Sequence, residues 1–95
     1  MIPEPLQAKL DNLPQRPGCY VFKDQAGRVL YVGKATSLRS RVRSYFQESS
    51  SDNRSFLPLL RRNVADLETV VTASEKEATI LEASLVKQLK PRYNV

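Results

Sequence analysis

Glu82 stands where the pattern around it asks for an apolar residue. Plotted at about 100° per residue, Ala78, Leu81, Leu85 and Leu89 make one helical stripe, and Glu82, four residues after Ala78, falls inside it. A lone carboxylate drawn into apolar surroundings loses hydration worth on the order of several kcal/mol. The side chain reaches out to a rim, pairs with a cation such as Arg41, or holds a metal ion. A second group is a pair of phenols, Tyr20 and Tyr31, on two segments that read as the strands of a hairpin. A loop centred between Gln25 and Ala26 sets Phe22 opposite Val29 and Tyr20 opposite Tyr31, with facing Cβ atoms about 5 Å apart. Two such rings either pack a core or form a site. At a pKa of about 10, roughly one phenol in a thousand is ionised at neutral pH. A neighbouring ammonium, such as that of Lys34 just past the second strand, or a metal ion favours the phenolate. Lowering the pKa by about two units takes roughly 2.7 kcal/mol, within reach of one close, partly desolvated cation. A phenolate is then a usable general base.

A phenolate base matters here because the chain has no histidine. Ser-His-Asp and Cys-His catalysis, zinc fingers and histidine bases are all excluded. With 3 glycines the chain also has no glycine-rich phosphate loop. Any hydrolysis must run on Tyr, Lys, Arg, Asp or Glu. Arg41 lies beside an apolar stripe, four residues before Tyr45, where a guanidinium can clamp a phosphate through paired hydrogen bonds. Arg39 and Arg43 project from another side toward solvent, to touch a nucleic-acid backbone nonspecifically at most. Asn94, near the chain's end, is a candidate polar orienting group. Cys19 reads as a small buried apolar residue.

The net charge is +5. No acid falls between Asp24 and Glu48, a stretch that holds Arg28, Lys34, Arg39, Arg41 and Arg43, and none follows Glu82, where Lys87, Lys90 and Arg92 lie. Two segments carry the positive excess, and a polyanion is the natural partner.

The elements that must position these groups follow from local chemistry. A short helix is expected around Leu6 to Leu10, broken by Pro14 and Pro17. Residues 19–23 and 28–32 read as strands around an Asp24–Gly27 turn. Thr36 or Ser37 caps a helix from Leu38 to Gln47, whose apolar positions are Leu38, Val42, Tyr45 and Phe46. A polar Ser-rich loop over 48–53 follows. Phe56, Leu59, Leu60 and Val64 fit one face of a further helix, with Pro58 in its first turn. A third strand runs from Asp66 to Thr72. Ser74 and Glu77 form a capping box for a last helix that ends near Leu89, before Pro91. The expected fold is a single α/β domain of the α+β type, a small three-stranded antiparallel sheet flanked by helices in the order β-β-α-α-β-α. With 95 residues, one cysteine and no signal-peptide layout, a cytoplasmic domain without a disulfide is expected.

Gly18-Cys19-Tyr20 followed by Tyr31-Val32-Gly33 resembles the signature of the GIY-YIG nucleases in variant form. The wider run is more specific: Leu13-Pro14, Pro17-Gly18 and Tyr20, Tyr31 to Ala35, Leu38-Arg39, Arg41-Val42, Ser44 to Phe46, Glu75, Glu77-Ala78, Leu81-Glu82 and Lys90 to Val95. From about Leu10 to Val95 the chain is similar to the N-terminal endonuclease domain of the UvrC family, the nuclease subunit of bacterial UvrABC excision repair. Cys19 departs from the Val or Ile usual there. The resemblance implies the GIY-YIG fold and cleavage of one strand of damaged double-stranded DNA on the 3′ side of a lesion. It implies one divalent cation, Mg²⁺ or Mn²⁺, held by Glu82, with several waters retained. It further implies Tyr31 as general base, Tyr20 completing the phenol pair, Lys34 acidifying the phenol or holding the water, Arg41 holding the scissile phosphate, Tyr45 positioning it and Asn94 lining the site. UvrB and the other subunits would be met through regions beyond this fragment. Two alternatives stand beside this reading: another GIY-YIG nuclease, homing or structure-specific, and a non-catalytic basic nucleic-acid-binding module.

Overall fold

The computed structural model describes residues 2–47 and 57–94. The expected Ser-rich loop over 48–53 and Phe56 lie outside the described residues. The elements are α1 (Glu4–Asp11), β1 (Gly18–Lys23), β2 (Val29–Ala35), α2 (Leu38–Ser44), α3 (Leu57–Asn63), β3 (Asp66–Val71) and α4 (Glu75–Leu89). The three strands form one antiparallel sheet in the order β2-β1-β3. The fold class and element order are those the sequence implies.

β1 is the central strand, and its residues 18–22 are buried. Gly18 is required there: a Cβ would sit 2.1 Å from the carbonyl oxygen of Val70 on β3. The hairpin register differs from the expected one. Tyr20 pairs with Gly33, and Phe22 pairs with Tyr31. Two local features account for the shift. Gly27 takes a left-handed conformation, φ 85°, and the Asp24 carboxylate accepts from the Ala26 and Arg28 amides at 2.9 Å, moving the turn toward Arg28. An irregularity between Phe22 and Lys23 then leaves Leu30 as an extra residue on β2. Over residues 18–22 the combined shift is two residues, so Tyr20 and Tyr31 keep a common face, while Val29 comes opposite Lys23 instead of Phe22.

One face carries Tyr20, Phe22, Ala35 and Leu67. It packs against Leu6 and Leu10 of α1, Leu38 and Val42 of α2, and Leu60 of α3 as one core cluster. α2 starts from Ser37, whose hydroxyl accepts from the Ser40 amide, and it stops at Ser44 rather than Gln47. The guanidinium of Arg61 holds that end, bonding the carbonyls of Tyr45 and Gln47. Leu59, expected on the buried face of α3, is 48% exposed. α4 covers the other face, where the Cys19 thiol donates to the Ala78 carbonyl at 3.2 Å. Ser74 caps α4 as expected, accepting from the Glu77 amide at 3.2 Å. The stripe on α4 is thinner than its sequence suggests: Ala78 is buried, Leu81 and Leu85 are half-buried, and Leu89 is exposed. Among the described residues no helix is long and apolar enough to cross a membrane.

Candidate active site

Tyr20 lies in the middle of the central strand, and its hydroxyl meets that of Tyr45 at 2.8 Å, each residue 1% exposed. The rings of Tyr20, Tyr45 and Tyr31 form a triangle with centroid separations of 5.6, 6.1 and 6.4 Å. Tyr31 alone of the three is half-buried. Burial pushes the Tyr20 phenol above its ordinary pKa, against the opposing pull of Tyr45 and Arg41. Tyr20 therefore stays protonated at neutral pH, and either hydroxyl of the pair can be the donor. Arg41, one turn before Tyr45, holds its guanidinium 5.3 Å from the Tyr45 ring centre. Tyr45 read in the sequence as a member of an apolar stripe. Its hydroxyl is what ties α2 to the central strand.

Lys34 leaves β2 on the face opposite Tyr31, because adjacent strand residues point to opposite sides. Its ammonium donates to the Thr79 hydroxyl of α4 at 3.1 Å. Lys34, expected to acidify the Tyr31 phenol or to hold the water, faces α4, and its charge acts on Cys19. Burial, and then the Glu82 carboxylate, lift the Cys19 thiol to about 11, with Lys34 pulling the other way. Cys19 points away from the tyrosines, toward α4, and so leaves their surroundings unchanged.

Glu82 is half-buried on α4, and among the described residues it makes no ion pair or side-chain hydrogen bond. This corrects the picture of a carboxylate stranded in oil. The thin packing of α4 leaves Glu82 at a rim, and the alternative of a salt bridge to Arg41 is not adopted. Glu75, Thr79 and Glu82 follow each other at helical spacing, and Glu75 joins Lys34, Ala35, Thr36, Arg41 and Ala78 around a concavity of about 250 Å³. Sequence reasoning missed Glu75 and Thr79, although their spacing from Glu82 was the available signal.

Asn94 does more than line a site. Its Oδ1 accepts from the Val32 amide at 2.8 Å, and its Nδ2 donates to the Val32 carbonyl at 2.9 Å. It thereby fixes the β2 edge one residue from Tyr31. Arg39 and Arg43 also have structural partners. Arg39 donates to the Leu13 carbonyl at 2.8 Å, and Arg43 donates to that of Leu10 from two nitrogens at 3.3 Å. Both guanidinium groups fasten the end of α1 and the chain after it, and Arg43 remains exposed.

Residues 16–95 match the UvrC-like GIY-YIG domain. The chain belongs to that family. UvrABC system protein C of Anaeromyxobacter dehalogenans is 59% identical over 90 residues, 95% of this chain and 13% of that protein. The protein of the same name from Chlorobium chlorochromatii is 54% identical over 90 residues, 95% of this chain and 14% of its own length. The chain thus spans 13–14% of these curated relatives. The crystal structure of the GIY-YIG N-terminal endonuclease domain of UvrC from Thermotoga maritima, bound to its catalytic magnesium, is similar with a TM-score of 0.84 and 37% identity, over 99% of this chain and 100% of that one. Tyr→Phe and Asn→Ala point mutants of that domain also hold the divalent cation.

In this UvrC-like GIY-YIG domain, no group of three His, Cys, Asp or Glu side chains converges among the described residues. Glu82 still fits a hard divalent cation. It is a carboxylate with free oxygens at a polar rim, and an ion such as Mg²⁺ is content with one such ligand and retained waters.

Proposed function

We propose that this domain hydrolyses one strand of damaged double-stranded DNA, on the 3′ side of a lesion, as the nuclease part of a UvrABC excision-repair protein that acts with UvrB. The single observation that carries the reading is the division of labour among the three tyrosines. Tyr20 and Tyr45 are buried and bond to each other through their hydroxyls, whereas Tyr31 of the same ring triangle is half-buried and reaches the surface where substrate arrives.

Tyr31 acts as the phenolate: it takes the proton of the attacking water and becomes the neutral phenol, as the water oxygen forms the new bond to phosphorus. The bond from phosphorus to the 3′ oxygen breaks, that oxygen takes a proton from solvent, and the products are a 5′-phosphate and a 3′-hydroxyl. Arg41, steadied over the Tyr45 ring, holds the phosphate oxygens. Lys34, anchored on Thr79, adds positive charge beside the concavity. Asn94 keeps the β2 backbone in place beneath Tyr31. Glu82 holds a Mg²⁺ or Mn²⁺ ion, which when bound supplies charge stabilisation to the departing oxygen.

Nicking of supercoiled plasmid with Mg²⁺ or Mn²⁺ tests this reading. The parent is expected to nick only with metal, and Glu82→Gln to lose activity by at least about 100-fold with its thermal unfolding unchanged. A Glu82→Gln chain that cuts like the parent removes Glu82 from the chemistry. A parent that binds DNA but never cuts leaves a basic binding module.

A further inference from the structure

A second basic cluster lies at the far end of β2 from Lys34 and Arg41, and the chemistry above does not use it. Residues 92–94 run along the outer edge of β2: the Arg92 amide donates to Val29 O at 3.3 Å, and the Tyr93 amide donates to Leu30 O at 2.8 Å. This places the C-terminal cations beside the hairpin turn. Arg28, Lys90 and Arg92 border an open concavity of about 530 Å³ with Asp24, Val29 and Leu30. Asp24 pairs with Arg28 at 3.2 Å, so Lys90 and Arg92 carry the excess charge. Lys90 ends α4 in the left-handed conformation, φ 45°, which turns the chain toward the strand edge. Arg92 stands over the Tyr93 ring at 5.7 Å.

The geometry points to a second phosphate-binding site, at which Lys90 and Arg92 take the backbone of the same DNA strand that Arg41 holds, so that the substrate lies along the β2 edge. This rests on the nuclease reading. The two clusters are separated by the length of β2, six residue steps at about 3.3 Å, or about 20 Å. At about 3.4 Å of helix axis per phosphate in one strand, this equals about six phosphates. Tyr31 lies between the two clusters. The ligand is recognised by charge and spacing, with no reading of bases.

The test is duplex binding by fluorescence anisotropy, with Ca²⁺ in place of Mg²⁺, across a salt series. The Lys90→Asn/Arg92→Gln variant keeps a residue at position 90 that tolerates the left-handed conformation. Each phosphate contact contributes about 0.9 to the slope of log K against log salt, so the variant is expected to flatten the slope by about 1.8 on a 20-base-pair duplex. On a four-base-pair duplex, too short to reach both clusters, parent and variant are expected to have equal slopes. Arg16→Gln/Arg62→Gln removes the same net charge elsewhere and is expected to leave the 20-base-pair slope within about 0.5 of the parent's. Equal slopes for parent and Lys90→Asn/Arg92→Gln on the long duplex overturn the site, as does an equal flattening by the control pair. The binding slopes are read without cleavage, so a parent that never cuts counts against the nuclease reading alone.

Discussion

The ring of Tyr20 lies across Gly33. A Cβ at position 33 would fall 2.3 Å from both the Tyr20 hydroxyl oxygen and the ring carbon that bears it. The tip of a surface side chain would swing away, but Tyr20 is buried, wedged against Phe22 and bonded to Tyr45. Gly33→Ala is therefore expected to destabilise the fold by about 2 kcal/mol, measured by urea unfolding. It should also cost nicking activity, because it displaces the phenol that shares a ring triangle with Tyr31.

The hydroxyl pair of Tyr20 and Tyr45 separates structure from chemistry. Removing either hydroxyl breaks a buried hydrogen bond, so Tyr20→Phe and Tyr45→Phe should each cost about 1 kcal/mol. The double variant should cost less than the sum, because it removes both ends of one bond. Tyr31→Phe keeps the ring at a half-buried position and is expected to change stability by less than about 1 kcal/mol. It should nonetheless lower the single-turnover cutting rate by about 100-fold or more.

Three arginines close together in sequence are expected to behave differently. Arg43→Met removes the guanidinium that bonds the Leu10 carbonyl, and Arg39→Met does the same at Leu13. Each should lower stability by about 1 kcal/mol, and neither should change the salt dependence of DNA binding. Arg41→Met should do the reverse, flattening the salt slope by about 0.9.

The Cys19 thiol is fully buried, and its pKa is lifted to about 11. Because the folded value lies above the unfolded one of about 9, this group's contribution to stability is complete below pH 9 and is lost as pH rises toward 11. At pH 8 a disulfide reagent should label the native chain only as fast as it opens. Labelling rates across a urea series should therefore follow unfolding, and fast labelling of folded protein would contradict the burial.

Much of this site was legible because its signals are local. Ser37 and Ser74 announce two helix starts, Pro91 an end, and alternating apolar residues the strands. Glu82 was visible because a charge broke a periodic stripe. The register was not legible, since the two residues of offset come from a left-handed Gly27 and an extra Leu30, and alternation alone is silent on both. The fates of Arg39, Arg41 and Arg43 were hidden for a related reason. Helical spacing says which way a side chain leaves its helix, but the carbonyls of Leu10 and Leu13 that capture two of them come from a segment about thirty residues away. Spacing alone makes Tyr45 an apolar-face residue, and only the family resemblance gives it a place at the phosphate, because tertiary packing is what brings its hydroxyl to Tyr20.

The clasp between Asn94 and Val32 has an effect beyond the chemistry. Together with residues 92 and 93 it occupies the outer rim of β2, so among the described residues the open rim of the sheet is that of β3, where Val70 and Val71 are exposed. Strand-to-strand recruitment of a neighbour is steered to that side. Crowded molecules would then stack back to back, with their cutting edges turned outward and unobstructed.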